Sequence, residues 1–385
     1  MPTPGAHHGP ASMPLTLALD WWDKLWFNGH VDSSTFSASS DGVFFYIFWT
    51  STAFFVLLMA LMFWWAWKYR RIPGVAPEAS VSHNTILELT WSIIPTILFA
   101  IMFIWGLVAY LPMKIAPADS EVISVTAKKW AWSIVYDNGA SPLQTEKLAD
   151  MDGPVFALPV DRPTKFIMSS QDVIHSMYLP AFRAKRDVFP NFYTGQWVQP
   201  TKISHRWNET EKVWEPVNPL DKGYYLTCAE YCGDQHSQMM GRIMVLAEPD
   251  YQLWKSQQAD TGGIPLTELG EKLHKSKGCV ACHSVDGSSG TGPSWKGIWG
   301  QSRKFKDGGS AVADENYIRE SMLEPGKHIV DGYSNQMPTF QGQVTDREIL
   351  AVATYIKTLS DNEADKEAAK AAAAEELKQK TEAKP

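Results

Sequence analysis

Two stretches of the chain carry no charged residue at all, residues 43–67 (VFFYIFWTSTAFFVLLMALMFWWAW) and residues 89–113. Both exceed the ~20 residues that an α-helix needs to cross the hydrocarbon core of a membrane. Both are apolar all round, unlike the amphipathic helices of a soluble core. Pro95 falls early in the second run, where a helix tolerates it. Two membrane helices are predicted, with residues 1–42 as an irregular lead-in and residues 68–88 as the connecting loop.

The pattern changes after residue 113. Over residues 121–248 short segments rich in Val, Ile and aromatics (EVISVTAKKWAWSIVY, KFIMSS, GYYLTCAEYCG, GRIMVLAE) alternate with Pro, Gly and Asn. That spacing predicts an all-β domain, an antiparallel sandwich or barrel. Residues 249–263 read as a linker. Over residues 264–360 the period becomes helical again, with PLTELGEKLHKSKG at one end and DREILAVATYIKTL at the other. Residues 361–385 are Ala, Lys and Glu with almost no large apolar side chain, a solvated helix or disordered tail. The chain shows no internal repeat.

The connection between the two apolar runs begins KYRR at Lys68–Arg71, and short basic loops remain in the cytoplasm. The lead-in and everything after residue 113 are therefore expected outside it. The first twenty residues contain prolines and no basic n-region, so they do not read as a cleaved signal peptide, and no cysteine there offers a lipid anchor. The net charge of −7 over 385 residues is modest, and no basic tract points to nucleic acid. Many of the 17 tryptophans fall in the first third, as expected for rings at a membrane–water boundary.

The chain has four cysteines, in two short motifs. In CAEYCGDQHSQM, Cys228 and Cys232 are followed by His236 and Met239. Thiolate and thioether donors select copper over harder ions. One Cys, two His and a weak Met would make a single blue-copper site, so this set has one thiolate too many. The surplus fits two coppers sharing both thiolates, each needing one imidazole and one weak axial ligand. His236 and Met239 supply one of each. The second imidazole must come from elsewhere, and His175 in DVIHSMYLP is the best candidate, since His205 lies in a polar insert. The other pair, in CVACH, has the spacing of c-type haem attachment: Cys279 and Cys282 for the thioethers, His283 as axial ligand. A thioredoxin-like pair would need a βαβ context. For the sixth position Met337, in the loop-like YSNQMPTF, is favoured over Met322, which falls in a helical stretch; methionine raises the potential of haem iron.

Trp130 in KKWAW, VIHSM and CAEYCGDQHSQM together resemble the dinuclear copper (CuA) domain of cytochrome c oxidase subunit II, a cupredoxin-like fold. The resemblance implies that Cys228 and Cys232 bridge both coppers, that His175 and Met239 complete one, and that His236 and the Glu230 carbonyl complete the other. It implies further that the Glu230 side chain faces the catalytic subunit I and ligates a magnesium or similar ion there. Trp130 matches the tryptophan through which electrons enter. GTGPSWKGIWG and the closing helix with Tyr355 resemble class I cytochromes c. E-x-x-W-x-x-x-P, starting at Glu88, resembles the segment whose glutamate marks the mouth of a proton pathway; the bland alternative is a helix-end carboxylate. Residues 197–222 make the interval between His175 and Cys228 longer than the family usually has, and read as a surface insertion.

The resemblance implies subunit II of a caa3-type haem–copper oxidase, in a bacterial cytoplasmic membrane with both metal domains outside the cytoplasm. Its partners would be subunit I, other oxidase subunits and an electron donor, either a cytochrome or a quinol-oxidising complex. The rival readings are the equivalent subunit of a nitric oxide reductase, a copper-delivery or thiol-redox protein, and a free-standing membrane-anchored carrier. Filled copper ligands would exclude a quinol oxidase subunit.

Overall fold

The structure, a computed structural model, describes residues 33–75, 82–219 and 222–382. Most of the lead-in, residues 76–81 of the connecting loop, residues 220–221 of the insertion and the last three residues lie outside the described residues. Two compact units follow from the packing, one formed by residues 35–115 and the other by residues 116–385 with residues 33 and 34.

The first unit is a pair of helices, α1 (Ser37–Lys68) and α2 (Thr85–Tyr110), long and apolar enough to cross a membrane. α1 begins six residues before the charge-free run, because nothing in SASSDG stops a helix that the apolar run propagates. α2 is capped by the Asn84 side chain, which accepts the Leu87 N–H at 3.1 Å, and it continues through Pro95. Three hydroxyls within the helices donate back to carbonyls one turn away, Thr52 to Phe48, Thr90 to Ile86 and Thr96 to Ser92, which satisfies them in an apolar setting. The helices meet where Tyr46 donates to the Leu98 carbonyl at 3.0 Å and the Trp105 ring lies on Gly42.

The second unit opens with a two-sheet sandwich. β1 (Glu121–Lys128), β2 (Ala131–Tyr136), β5 (Thr164–Ser170) and β8 (Thr194–Val198) form one sheet in the order β2-β1-β5-β8. The other contains β3 (Thr145–Leu148), β4 (Met151–Pro159), β6 (His175–Leu179), β7 (Ala184–Val188), β11 (Tyr224–Cys228) and β12 (Met240–Leu246), ordered β3-β4-β12-β11-β6-β7. The expected antiparallel arrangement is corrected at two places, since β1 pairs with β5 and β4 with β12 in parallel. Such pairs need long crossovers rather than hairpins, and no local pattern announces them. Alternation along β1 sends Ile123, Val125 and Ala127 inward and leaves Val122 exposed. These side chains meet Trp132, Phe156, Phe166, Met177 and Ile243 in one core. Within the insertion, β9 (His205–Asn208) and β10 (Val213–Pro216) form a separate ribbon, pinned by Trp207 against Trp214 at 4.9 Å.

Residues expected as a linker contain a helix, α3 (Glu248–Ala259), that belongs to the sandwich. Tyr251 and Trp254, three apart and both fully buried, pack into the β core, with the Trp254 ring 5.2 Å from Tyr136. Lys255 reaches Glu121 and Asp137, both at 2.9 Å.

The helical part contains α4 (Leu266–Ser276), α5 (Glu315–Leu323), α6 (Asp346–Thr358) and α7 (Glu363–Glu382), with a small hairpin of β13 (Ser302–Lys304) and β14 (Ser310–Val312). α4 crosses α6 at Gly270, where a Cβ would stand 2.1 Å from the Ala351 carbonyl oxygen; only glycine permits that approach. The charged tail is α7, a helix that buries Ala369 and Ala373.

Candidate functional site

The copper-motif residues converge at one end of the sandwich. β11 ends at Cys228, a tight loop carries Cys232 and His236, and β12 begins after Met239. Backbone bonds close that loop: Cys228 N–H to the Met239 carbonyl, His236 N–H to Gly233, Met239 N–H to His236. The Cys228 and Cys232 sulfurs lie 3.9 Å apart. His236 Nδ1 is 3.5 Å and Met239 Sδ 3.9 Å from the Cys232 sulfur; the Glu230 carbonyl oxygen is 3.2 Å from that of Cys228. His175, at the start of β6 and fully buried, brings Nδ1 to 4.0 Å from Cys228. Its ligand atom and the two sulfurs all lie within 4.8 Å of one another. His205 instead sits in β9 beside Ser204 and Gly223. The Glu230 side chain is exposed.

Charge distribution favours a cation here. Cys228 is held as a thiolate far below the usual thiol range, first by the Cys232 S–H and then by His175, while the same bond pushes Cys232 up. Soft sulfur and imidazole donors around a pair of cysteine sulfurs fit copper.

Asp172 is a residue the motifs did not reveal. It accepts from His175 Nε2 at 2.8 Å and, through its other oxygen, from the Lys129 N–H at 2.7 Å. Burial alone would raise this carboxyl, but the bonds to His175 and to the Lys129 and Val173 amides hold it below the usual range. Burial likewise lowers His175, yet Asp172 and Cys228 outweigh it and raise it. A carboxylate on the far nitrogen fixes the tautomer that presents Nδ1 to a metal. A carboxylate three residues before a ligand histidine was the available signal.

Trp130 sits on the turn between β1 and β2, with 7% of its surface exposed. A Cβ on Gly233, in the copper loop, would stand 3.2 Å from its ring. The next tryptophan, Trp132, donates Nε1–H to the Met239 carbonyl at 3.3 Å.

The same turn borders a second site. A cleft of about 1180 Å³, counting the space open to solvent, is lined by Lys128, Lys129, Cys279, Cys282, His283, Met322 and Met337 and by apolar walls that include Ile298, Phe340 and Ile356. His283 Nδ1 donates to the Pro293 carbonyl at 2.8 Å, which leaves Nε2 for a ligand. Burial lowers its pKa, so the ring is neutral. Gly292 lies flat on the ring, where a Cβ would be 2.6 Å away. A neutral imidazole, two thiols at the mouth, a thioether and apolar walls suit a covalently attached haem. Both methionine candidates line the cleft; Met322 is buried in α5, and Met337 is half-buried in the loop before α6.

The CVACH loop packs directly on the β domain. Gly278, at φ +72°, lies so close to Ala131 that a Cβ would be 2.3 Å from the alanine methyl. Gln171 donates to the Thr339 carbonyl at 2.8 Å and Lys277 to the Gln343 carbonyl at 3.0 Å.

Glu88, in the first turn of α2, meets only near neighbours among the described contacts, His83 at 2.7 Å and the Asn84 N–H at 3.3 Å.

Comparison with known proteins follows the same division. Residues 122–246 match the model described as cytochrome C oxidase subunit II, periplasmic domain, and residues 267–360 match that of cytochrome c. The chain is 27% identical over 315 residues to cytochrome c oxidase subunit 2 of Alkalihalophilus pseudofirmus, covering 79% of this chain and 82% of that one. It is 25% identical to an alternative cytochrome c oxidase subunit 2 of Bradyrhizobium diazoefficiens, covering 63% and 86%. The subunit 2 of Bacillus subtilis is 24% identical, covering 72% and 76%.

Proposed function

We propose, for a chain in which a cytochrome c oxidase subunit II periplasmic domain is joined to a cytochrome c domain, that it is the electron-entry subunit of a bacterial caa3-type oxidase. Cys228, Cys232, His175, His236, Met239 and the Glu230 carbonyl hold a dinuclear copper centre. Cys279, Cys282, His283 and Met337 hold one haem c. When bound, these groups supply one-electron carriage from a cytochrome or a quinol-oxidising complex to subunit I, where oxygen is reduced and protons are moved. The exposed Glu230 side chain is free to meet a magnesium ion at the subunit I boundary. The two apolar helices anchor the chain in the cytoplasmic membrane and pack on subunit I and other oxidase subunits, with both metal domains on the periplasmic side.

One observation carries this reading. Trp130 is not an open docking surface: the copper loop lies against its ring, and the haem-attachment loop lies against Ala131 next to it. The chain's own cytochrome domain therefore occupies the approach a diffusing donor would need. A tethered donor works at high effective concentration, so tight docking is unnecessary. The protein's part is to hold both sites in fixed geometry. Asp172 orients His175 and Pro293 orients His283.

The test is gas uptake by the purified intact complex, driven by an artificial donor that reduces haem c, with oxygen and nitric oxide offered separately. Cyanide-sensitive oxygen uptake is expected. Uptake of nitric oxide with little oxygen would move the chain to the reductase branch, and uptake of neither gas would leave an isolated electron carrier. For Glu88 as proton entry, Glu88→Ala should slow oxygen uptake and leave the copper spectrum unchanged; unchanged turnover would return it to a helix-end carboxylate.

A further inference from the structure

Lys128, the last residue of β1, is the least expected member of the haem cleft. It is 2% exposed, and its ammonium has no hydrogen-bond partner among the described residues. The ammonium lies 3.6 Å from the centre of the Phe340 ring, which is a cleft wall. Its Cε stands 3.8 Å from where a Cβ on Gly278 would be, on the side of the cleft that carries the two cysteines. The other charges near it are already committed: Asp172 to His175 and Lys129, and Lys277 to Gln343, Ser141 and Glu348.

We propose that Lys128 is a positioning charge supplied by the β domain, which raises the reduction potential of the haem held by the neighbouring helical domain. The inference rests on the assignment of CVACH as a haem-attachment site. Oxidised haem carries one more positive charge than reduced haem. A buried ammonium beside the cysteines that would attach it disfavours the oxidised form, and its burial limits screening by solvent. The cation–π contact with Phe340 holds the ammonium where a carboxylate would otherwise be needed. Burial is the main cause that lowers the Lys128 pKa, to about 8, so the potential is measured well below that pH.

The experiment is a spectroscopic redox titration of haem c in the intact complex at pH 6.5, for the wild type, Lys128→Met and Lys128→Arg. Covalent haem is checked first on a denaturing gel; its absence from the wild type would defeat the attachment assignment itself. With haem present, Lys128→Met is expected to lower the reduced-to-oxidised ratio at fixed potential about tenfold, equivalent to ~59 mV for one electron. Lys128→Arg should return it towards the wild type, with the methionine-ligation band unchanged in all three. An unchanged midpoint in Lys128→Met would overturn the proposal. So would an equal fall in both variants, or a lost ligation band, since either outcome makes Lys128 a packing residue.

Discussion

The proposed copper end of the sandwich and the proposed haem cleft are built in different ways. At the copper end most of the candidate donors belong to the one loop from Cys228 to Met239, His175 joins them from β6, and each stands within 4.0 Å of a thiol sulfur. In the cleft His283, Met322 and Met337 come from segments tens of residues apart and line one wide, largely apolar cavity. A small ion needs few donors, so one short motif announces most of them. A large planar group needs walls from many places, so only its point of attachment is written locally. The two sites still share one wall, the Lys128–Trp132 turn, and the strength of that coupling is open to test.

The strongest test is to remove a bridging thiol. Cys228→Ser is expected to abolish the dinuclear copper absorption and paramagnetic signals entirely while leaving covalent haem content at the wild-type level. Loss of haem from that variant would mean the sites do not form separately. A large effect on stability is expected on the side of the sandwich that α3 covers. Trp254→Ala removes a fully buried ring packed on Tyr136 and should cost about 3–5 kcal/mol in denaturant unfolding. A cost under 1 kcal/mol would return residues 249–263 to the status of a linker.

These two variants also mark what was legible beforehand. Cys228, Cys232, His236 and Met239 could be read as a metal set because their side chains lie within one loop. Trp254 could not, because Tyr251 is its only large apolar neighbour at helical spacing and most of that stretch is polar. Lys128 carries no local signal of its partner, a ring more than two hundred residues away, and Asp172 carries none of its bond to Lys129, 43 residues back. The parallel pairings of β1 with β5 and β4 with β12 are hidden for the same reason. The two helices of the first unit were the plainest feature, since a charge-free run needs no partner to be recognised.

Asp172→Asn probes the link between the two sites more gently. Asparagine keeps the size but presents either an amide or a weaker acceptor to His175 Nε2, so the imidazole loses its fixed tautomer. Copper affinity should fall about 10–100-fold, as is usual when the group orienting a metal-bound histidine is changed. The haem potential should move far less than in Lys128→Met, because Asp172 faces the copper ligand. A larger haem shift than copper shift would show the shared turn to be a stronger coupler than either site's own ligands.

The smallest effect is expected at the far end of the helical domain. α7 is held by Ala369 and Ala373 and by a two-pronged pair in which Arg347 Nε and Nη2 meet Glu376 at 2.9 and 3.2 Å. Arg347 also donates to the Thr261 and Ile264 carbonyls, so losing the carboxylate leaves its guanidinium partly satisfied. Glu376→Ala should therefore cost about 1 kcal/mol and leave both copper and haem spectra untouched. The reason is distance along the network: Arg347 ties α7 to the start of α4, whereas His283 and the copper loop are fixed by Pro293, Gly278 and Asp172. If this variant perturbed the haem spectrum, the tail helix would have to be counted as part of the cleft's support rather than as a brace on its outer face.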